Sequence, residues 1–156
     1  MAKATSTAQF TIHGNTIRRI DVGGIDVLAN TGDGDLQIQI TNNVIEQVED
    51  NVGGGISDGI RVLTATGSLH DICLDARNND SFNIGADDLQ LRQSNAGVVF
   101  GIEGLTGSGT STANVEAFLD GQNPLFTPAN GGTRVRTVAS VVNFTSVAAC
   151  TTPPIQ

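Results

Sequence analysis

Phe10-Thr-Ile-His-Gly-Asn-Thr-Ile17 and Ile38-Gln-Ile-Thr-Asn-Asn-Val-Ile45 follow one pattern. Each reads apolar-polar-apolar-polar, turns at Asn15 or Asn43, and resumes with an apolar residue. A second short run follows each: Gly24-Ile25-Asp26-Val27-Leu28 and Gly59-Ile60-Arg61-Val62-Leu63. A looser third copy opens at Ile72-Cys73-Leu74-Asp75 and turns at Asn78-Asn79. It continues through Asp88-Leu89-Gln90-Leu91-Arg92. The step from Ile12 to Ile40 is 28 residues, and from Ile40 to Leu74 it is 34. A solenoid with coils of unequal loop length accounts for both.

Alternation gives each strand one buried and one wet face. Two short strands joined at an Asn or Gly corner cannot close a core alone, but stacked coils can. Stacking places Ile12, Ile40 and Leu74 in one interior column. A second column holds Ile25/Val27, Ile60/Val62 and Leu89/Leu91. Asn15, Asn43 and Asn79 then form a corner ladder, each amide bonding to the next coil. Asn also tolerates the left-handed backbone that such corners need. The fold class expected is all-β: a short right-handed parallel β-helix of about three coils.

The remainder is read around those coils. Gly-rich loops occupy 29–35, 51–58 and 104–110. Thr112 is expected to N-cap a short helix over 113–119, with Val115, Phe118 and Leu119 on one apolar face. Gly121 and Pro124 are expected to end it. An open solenoid end needs a cover, and this helix is expected to cover the last coil. Residues 133–144 read as one or two closing strands and 145–156 as a tail. The organisation expected is an N-terminal arm at 1–9, β-helix coils at 10–103, and capping helix, closing strands and tail at 104–156.

Composition excludes several functions. The chain of 156 residues has 8 basic and 16 acidic side chains, a net charge of −8, six Phe and no Trp or Tyr. That balance opposes phosphate binding, so nucleic acid is not an expected partner. No apolar run is long enough to cross a bilayer as a helix, so membrane insertion is not expected. The start is small and polar, without the apolar core of a secretory signal peptide.

Starting at Ile72-Cys73-Leu74-Asp75, the sequence resembles the C-terminal part of bacterial right-handed parallel β-helix surface proteins, of the pectin-lyase-like superfamily. The resemblance rests on Asn15-Thr-Ile17, Gly24-Ile25-Asp26-Val27, Ile72-Cys73-Leu74-Asp75 and Leu89-Gln90-Leu91-Arg92-Gln93. It continues through Val115-Glu-Ala-Phe-Leu-Asp-Gly-Gln-Asn123 and Ala148-Ala149-Cys150, in the same order along nearly the whole chain. It implies a surface structural or adhesive role and supplies no catalytic residues.

Cys73 and Cys150 are the two cysteines. Either they are unrelated thiols, or they form a disulfide. If Ile72 and Leu74 point inward, Cys73 points outward, within reach of a tail crossing the coil. The disulfide is the favoured reading for an oxidising compartment.

Asp26, Arg61 and Gln90 form the best outward column for chemistry. Asp87-Asp88 is an adjacent acidic pair whose members point to opposite faces if they lie in a strand. His13 and His70 are isolated. Asp33-Gly34-Asp35 resembles part of a calcium loop but lacks the further oxygen ligands and the closing Glu. Glu49, Asp50 and Asp58 could join across a loop, though a solvated acidic turn is the simpler reading. No catalytic residue, cofactor or metal site is expected.

The expected function is a non-enzymatic structural β-helix protein of an extracellular, cell-surface or virion surface. It would act as an assembly subunit, decoration protein or adhesin module, in a homo-oligomer, particle or filament. The alternative is a carbohydrate-binding or carbohydrate-cleaving β-helix protein with a surface glycan as ligand. The absence of Tyr and Trp for sugar stacking weighs against it.

Overall fold

Apolar–polar alternation lays the chain down as short strands that turn at Asn and Gly corners. The computed structural model describes residues 6–20, 23–48, 58–106, 111–128, 132–139 and 143–151. The first coil is β1 (Thr7–His13), β2 (Thr16–Ile20) and β3 (Ile25–Ala29). The second is β4 (Gly32–Thr41), β5 (Val44–Val48) and β6 (Ile60–Thr64). The third is β7 (Ser68–Arg77), β8 (Asp80–Ile84) and β9 (Leu89–Gln93). These are the three repeats of the sequence. A fourth coil contains β10 (Phe100–Glu103), α1 (Thr112–Gln122), β11 (Leu125–Pro128) and β12 (Val135–Ala139), and β13 (Phe144–Val147) starts a further rung.

Corresponding strands pair in parallel and build three sheets: β1-β4-β7-β10-β13, β2-β5-β8-β11 and β3-β6-β9-β12. The protein is a short parallel β-helix with a capping helix. The second of these, of β2, β5, β8 and β11, contains strands that the sequence reading treated as part of the corner.

Interior columns run along the solenoid. Ile25, Ile60, Leu89 and Val135 stack in register, as do Val27, Val62 and Leu91. The expected column of Ile12, Ile40 and Leu74 is corrected by two residues. Ile12 stacks on Ile40 and then Ala76, while Leu74 stacks on Ile38 and Phe10. The Asn corners set this register: Asn43 and Asn79 are bonded across 36 positions. A slip of two preserves the inward parity, so alternation alone could not detect it. Ile38, Ile40, Ile45, Ile60, Leu74, Leu89 and Leu91 are fully buried. Each such side chain contributes about 1.5–3 kcal/mol by leaving water.

α1 starts one residue earlier than expected and ends three later. Its N-cap is Ser111, whose Oγ accepts the Asn114 N–H at 3.4 Å. The helix runs through Gly121 because the Asn123 N–H still bonds to Leu119 O and Asp120 O. Val115 and Leu119 are buried and Phe118 packs against the core. Glu116 Oε1 accepts the Thr137 N–H at 2.7 Å and the Thr137 hydroxyl at 2.8 Å. The helix thus covers the outer edge of β12. Residues 1–5 of the arm, Glu49, Asp50, the loop at 51–57 and the tail at 152–156 lie outside the described residues.

Candidate functional site

The Asn corner is the most regular polar feature. Asn15 Nδ2 donates to Asn43 Oδ1 at 2.9 Å, and Asn43 Nδ2 donates to Asn79 Oδ1 at 3.0 Å. Asn79 Nδ2 donates in turn to Asn123 Oδ1 at 3.0 Å. Asn123, the C-cap of α1, is a fourth rung that the sequence reading missed. The ladder residues do not themselves adopt the left-handed backbone. The preceding residues Gly14, Asn42 and Asn78 do, with φ of 67°, 56° and 55°. One residue turns the chain and the next supplies the amide. Asn43, Asn79 and Asn123 are fully buried, so these amides hold the coils together and face no ligand.

The corner before β6 and β9 is acidic. Asp58 Oδ1 accepts the Asp87 N–H at 3.1 Å. Asp87 Oδ1 accepts the Thr133 N–H at 3.2 Å and hydroxyl at 2.6 Å. Asp58 and Asp87 therefore cap backbone across coils, much as the Asn residues do. Asp88 is fully buried, and neither of its carboxylate oxygens has a hydrogen-bond partner. Burial pushes its pKa up to about 7, against the smaller opposing pulls of the facing Ser81 hydroxyl and Arg134. Burial also raises Asp58, partly offset by the Asp87 N–H.

The outward column of Asp26, Arg61 and Gln90 does form, and Arg136 extends it. Its charges are taken up by neighbours. Arg61 pairs with Asp26, Gln90 Nε2 donates to Asp87 Oδ2 at 3.2 Å, and Arg136 lies 3.5 Å from the same oxygen. On the first sheet Asp75 Oδ2 accepts from Gln39 Nε2 at 3.0 Å and from Arg77 at 2.8 Å. The two histidines stand apart. His13 Nδ1 is 2.8 Å from Thr41 Oγ1, while His70 packs over the backbone of Gly32 and Gly34. Asp33-Gly34-Asp35 lies in β4 rather than in a loop, so it forms no cation-wrapping turn. Among the described residues, no group of three or more His, Cys, Asp or Glu side chains is placed to hold a metal ion.

Cys73 and Cys150 form a disulfide, with Cα atoms 5.6 Å apart. It fastens the segment after β13 across the outer face of the first sheet. The Cys150 N–H donates to Glu103 Oε2 at 2.8 Å and the Thr151 N–H to Gln37 Oε1 at 3.0 Å. A groove of about 350 Å³ runs beside this strap, lined by Asp35, Gln37, Asp71, Thr145 and Thr151 among others.

The last feature is the end of the solenoid at β1, β2 and β3. Several inward positions that are fully dry one coil away are wetter here, although Ile25 and Ala29 stay buried. Ile38 is 0% exposed, whereas Phe10, its neighbour in register, is 47% exposed. Ile12, Ile17 and Val27 are only partly buried. A cavity of about 370 Å³ opens among Phe10, Ile12, Val27, Ala29, Leu36 and His70. Phe10 was legible as an apolar strand residue, but nothing in its own repeat says that its column stops there.

No helix among the described residues is long and apolar enough to cross a membrane. Comparison with protein-family models, with curated proteins and with solved structures finds no match to this chain.

Proposed function

We propose that this chain is a non-enzymatic structural β-helix protein, working as a subunit of an extracellular or virion surface assembly. The observation that carries the reading is the unclosed core at β1, β2 and β3, where Phe10, Ile12 and Val27 face inward yet remain wet. An apolar, strand-edged end of this kind fits a contact with further protein. Two other features support it. Outward charges on the sheets are engaged with one another, as Asp26–Arg61 and Asp75–Arg77 illustrate. The Cys73–Cys150 bond suits an oxidising compartment. The resemblance of its motifs, in their order, to those of pectin-lyase-like bacterial surface proteins points the same way. Within this reading the protein is an adhesin module, a filament subunit or a decoration protein.

A second reading, carbohydrate binding, draws on the groove beside the C-terminal strap. Asp35, Gln37, Asp71 and Thr151 offer hydrogen-bonding groups for sugar hydroxyls there, without an aromatic ring on which a sugar could stack.

Light scattering on the full chain after size exclusion tests the first reading. A defined oligomer is the expected result, and a monomer at every concentration reached would overturn it. Glycan-array binding that is lost in Asp71→Ala, with folding intact, would move the assignment to the second reading.

A further inference from the structure

The two ends of the solenoid differ. At the far end α1 lies over β12, and Glu116 takes the Thr137 N–H that a next coil would otherwise use. Asp120 and Arg134 tie the same helix to the start of that strand at 2.8 Å. At the near end β1, β2 and β3 are the terminal strands of all three sheets, and no helix lies over them among the described residues. The core column behind them opens into the cavity at Phe10, Ile12, Val27, Ala29 and Leu36.

The geometry points to this near end as the contact between two copies of the chain, stacked head to head about a two-fold axis. The inference rests on the assembly reading above and names its interface. Orientation follows from the ends themselves. Head-to-tail stacking would press an open end onto α1, where the β12 edge is already taken. Head-to-head stacking joins the two unfinished ends and buries both apolar mouths in a closed, isologous contact.

Charge agrees with that arrangement. A two-fold axis through β1 sets β1 against β1 of the second copy, running antiparallel, and sets each β2 against the other copy's β3. The only titratable side chain of β1 is His13, so its self-pairing brings no like formal charges together at neutral pH. β2 carries Arg18 and Arg19, and β3 carries Asp26, so the strands that meet are of opposite sign. Residues 1–29 hold three basic and two acidic side chains, against five basic and fourteen acidic in the rest of the chain. The first coil is therefore the region where two such acidic proteins approach with least repulsion.

The experiment uses the full chain and two substitutions at exposed apolar positions: Phe10→Lys at the near end and Leu125→Lys on β11 at the far end. Sedimentation velocity gives the dissociation constant, and circular dichroism confirms that each variant keeps its strands. Phe10→Lys is expected to weaken the dimer by more than about tenfold, while Leu125→Lys leaves it unchanged. A photo-crosslinking residue at Gln9, in a mixture of isotopically light and heavy chains, reads the orientation. Light–heavy crosslinks joining residues 7–13 of both copies support the head-to-head contact. Crosslinks from Gln9 to residues 112–137 of the other copy would mean head-to-tail stacking and overturn it. An oligomer indifferent to Phe10→Lys overturns this interface but leaves the assembly reading standing. A strict monomer overturns both.

Discussion

Asn79 Oδ1 accepts two hydrogen bonds from Asn43, one from its side-chain Nδ2 at 3.0 Å and one from its backbone N–H at 3.1 Å. Asn79 Nδ2 also donates to Ile40 O at 2.8 Å. One buried amide of the third coil thus satisfies two backbone groups of the second, the Asn43 N–H and the Ile40 carbonyl. Asn79→Ala leaves a buried N–H and a buried carbonyl without partners, at about 1–3 kcal/mol for each orphaned group. The expected loss is about 2–4 kcal/mol in urea unfolding. Asn15→Ala, at the exposed first rung, is expected to cost less than about 1 kcal/mol. Equal effects at the two positions would contradict the ladder as a buried stabilising element.

Asp88 makes the protein sensitive to pH in an unusual direction. Its pKa rises from 3.8 to about 7 on folding, chiefly because burial disfavours the charged carboxylate. Above pH 7 the folded state carries the cost of that buried charge. As pH falls from about 7 toward 4, the folded protein takes up a proton that the unfolded chain does not, so stability rises. Asp58, also raised by burial, acts in the same sense. Asp88 alone accounts for at most about 4 kcal/mol of this gain between pH 8.5 and 4.5, at about 1.4 kcal/mol per pKa unit. Asp88→Asn is expected to be more stable than the parent at pH 8 and to flatten most of this slope. A parent whose urea midpoint falls steadily from pH 8 to 5 would refute the assignment.

The legible and illegible parts of this fold divide along physical lines. In the first three coils the strands of the first and third sheets run for five or more residues and alternate, with paired inward apolar positions such as Ile25/Val27 and Ile38/Ile40. Such runs declare their inward face directly. The second sheet does not, because its inward positions stand three residues apart: Ile17, Ile45, Ser81 and Phe126 stack in one column, and Ile84 is fully buried past the left-handed Asn83. A spacing of three is not the strand period of two, and Ser81 breaks even the apolar match. The fourth coil was hidden because α1 interrupts it between β10 and β11. Asn123 was missed as a rung for the same reason, since it follows a helix rather than a strand. Cys73 was readable because Ile72 and Leu74 on either side fixed its outward direction. Asp88 was not. Its adjacency to Asp87 showed that the two could face apart, but not that the inward one would be left without a hydrogen bond.

The disulfide should contribute more than any single contact. Cys73 and Cys150 are separated by 77 residues, and closing a loop of that length stabilises by about 4–5 kcal/mol in the chain-entropy account. Intact mass under non-reducing conditions should show no alkylatable thiol. Reduction, or the double substitution of Cys73→Ser and Cys150→Ser, should lower the melting temperature by roughly 10 °C for a chain of this size. The strand signal should persist at low temperature, because the bond ties the strap to the outer face and the core columns do not pass through it. Two freely alkylated cysteines in protein purified under air would count against the bond.

Two glycines should respond to the same substitution with opposite signs. A Cβ on Gly59 would stand 2.7 Å from the Asp88 carbonyl oxygen, with no flexible side chain to yield. The corner of coil two approaches that of coil three too closely there for any side chain, as Gly24 does against Gly59 at 2.5 Å one coil earlier. Gly59→Ala must push two rungs of the solenoid apart, and overpacking of this kind costs about 1–3 kcal/mol. Gly121 lies within α1, and a Cβ there meets nothing within 4 Å. Its backbone needs no left-handed conformation, so alanine only removes the entropy that glycine loses in a helix. Gly121→Ala should therefore stabilise by up to about 1 kcal/mol. Urea unfolding of both variants beside the parent reads the two shifts directly. A tolerated Gly59→Ala would mean that the coils do not stack at the register described, since that contact exists only if Gly59 sits directly over Asp88.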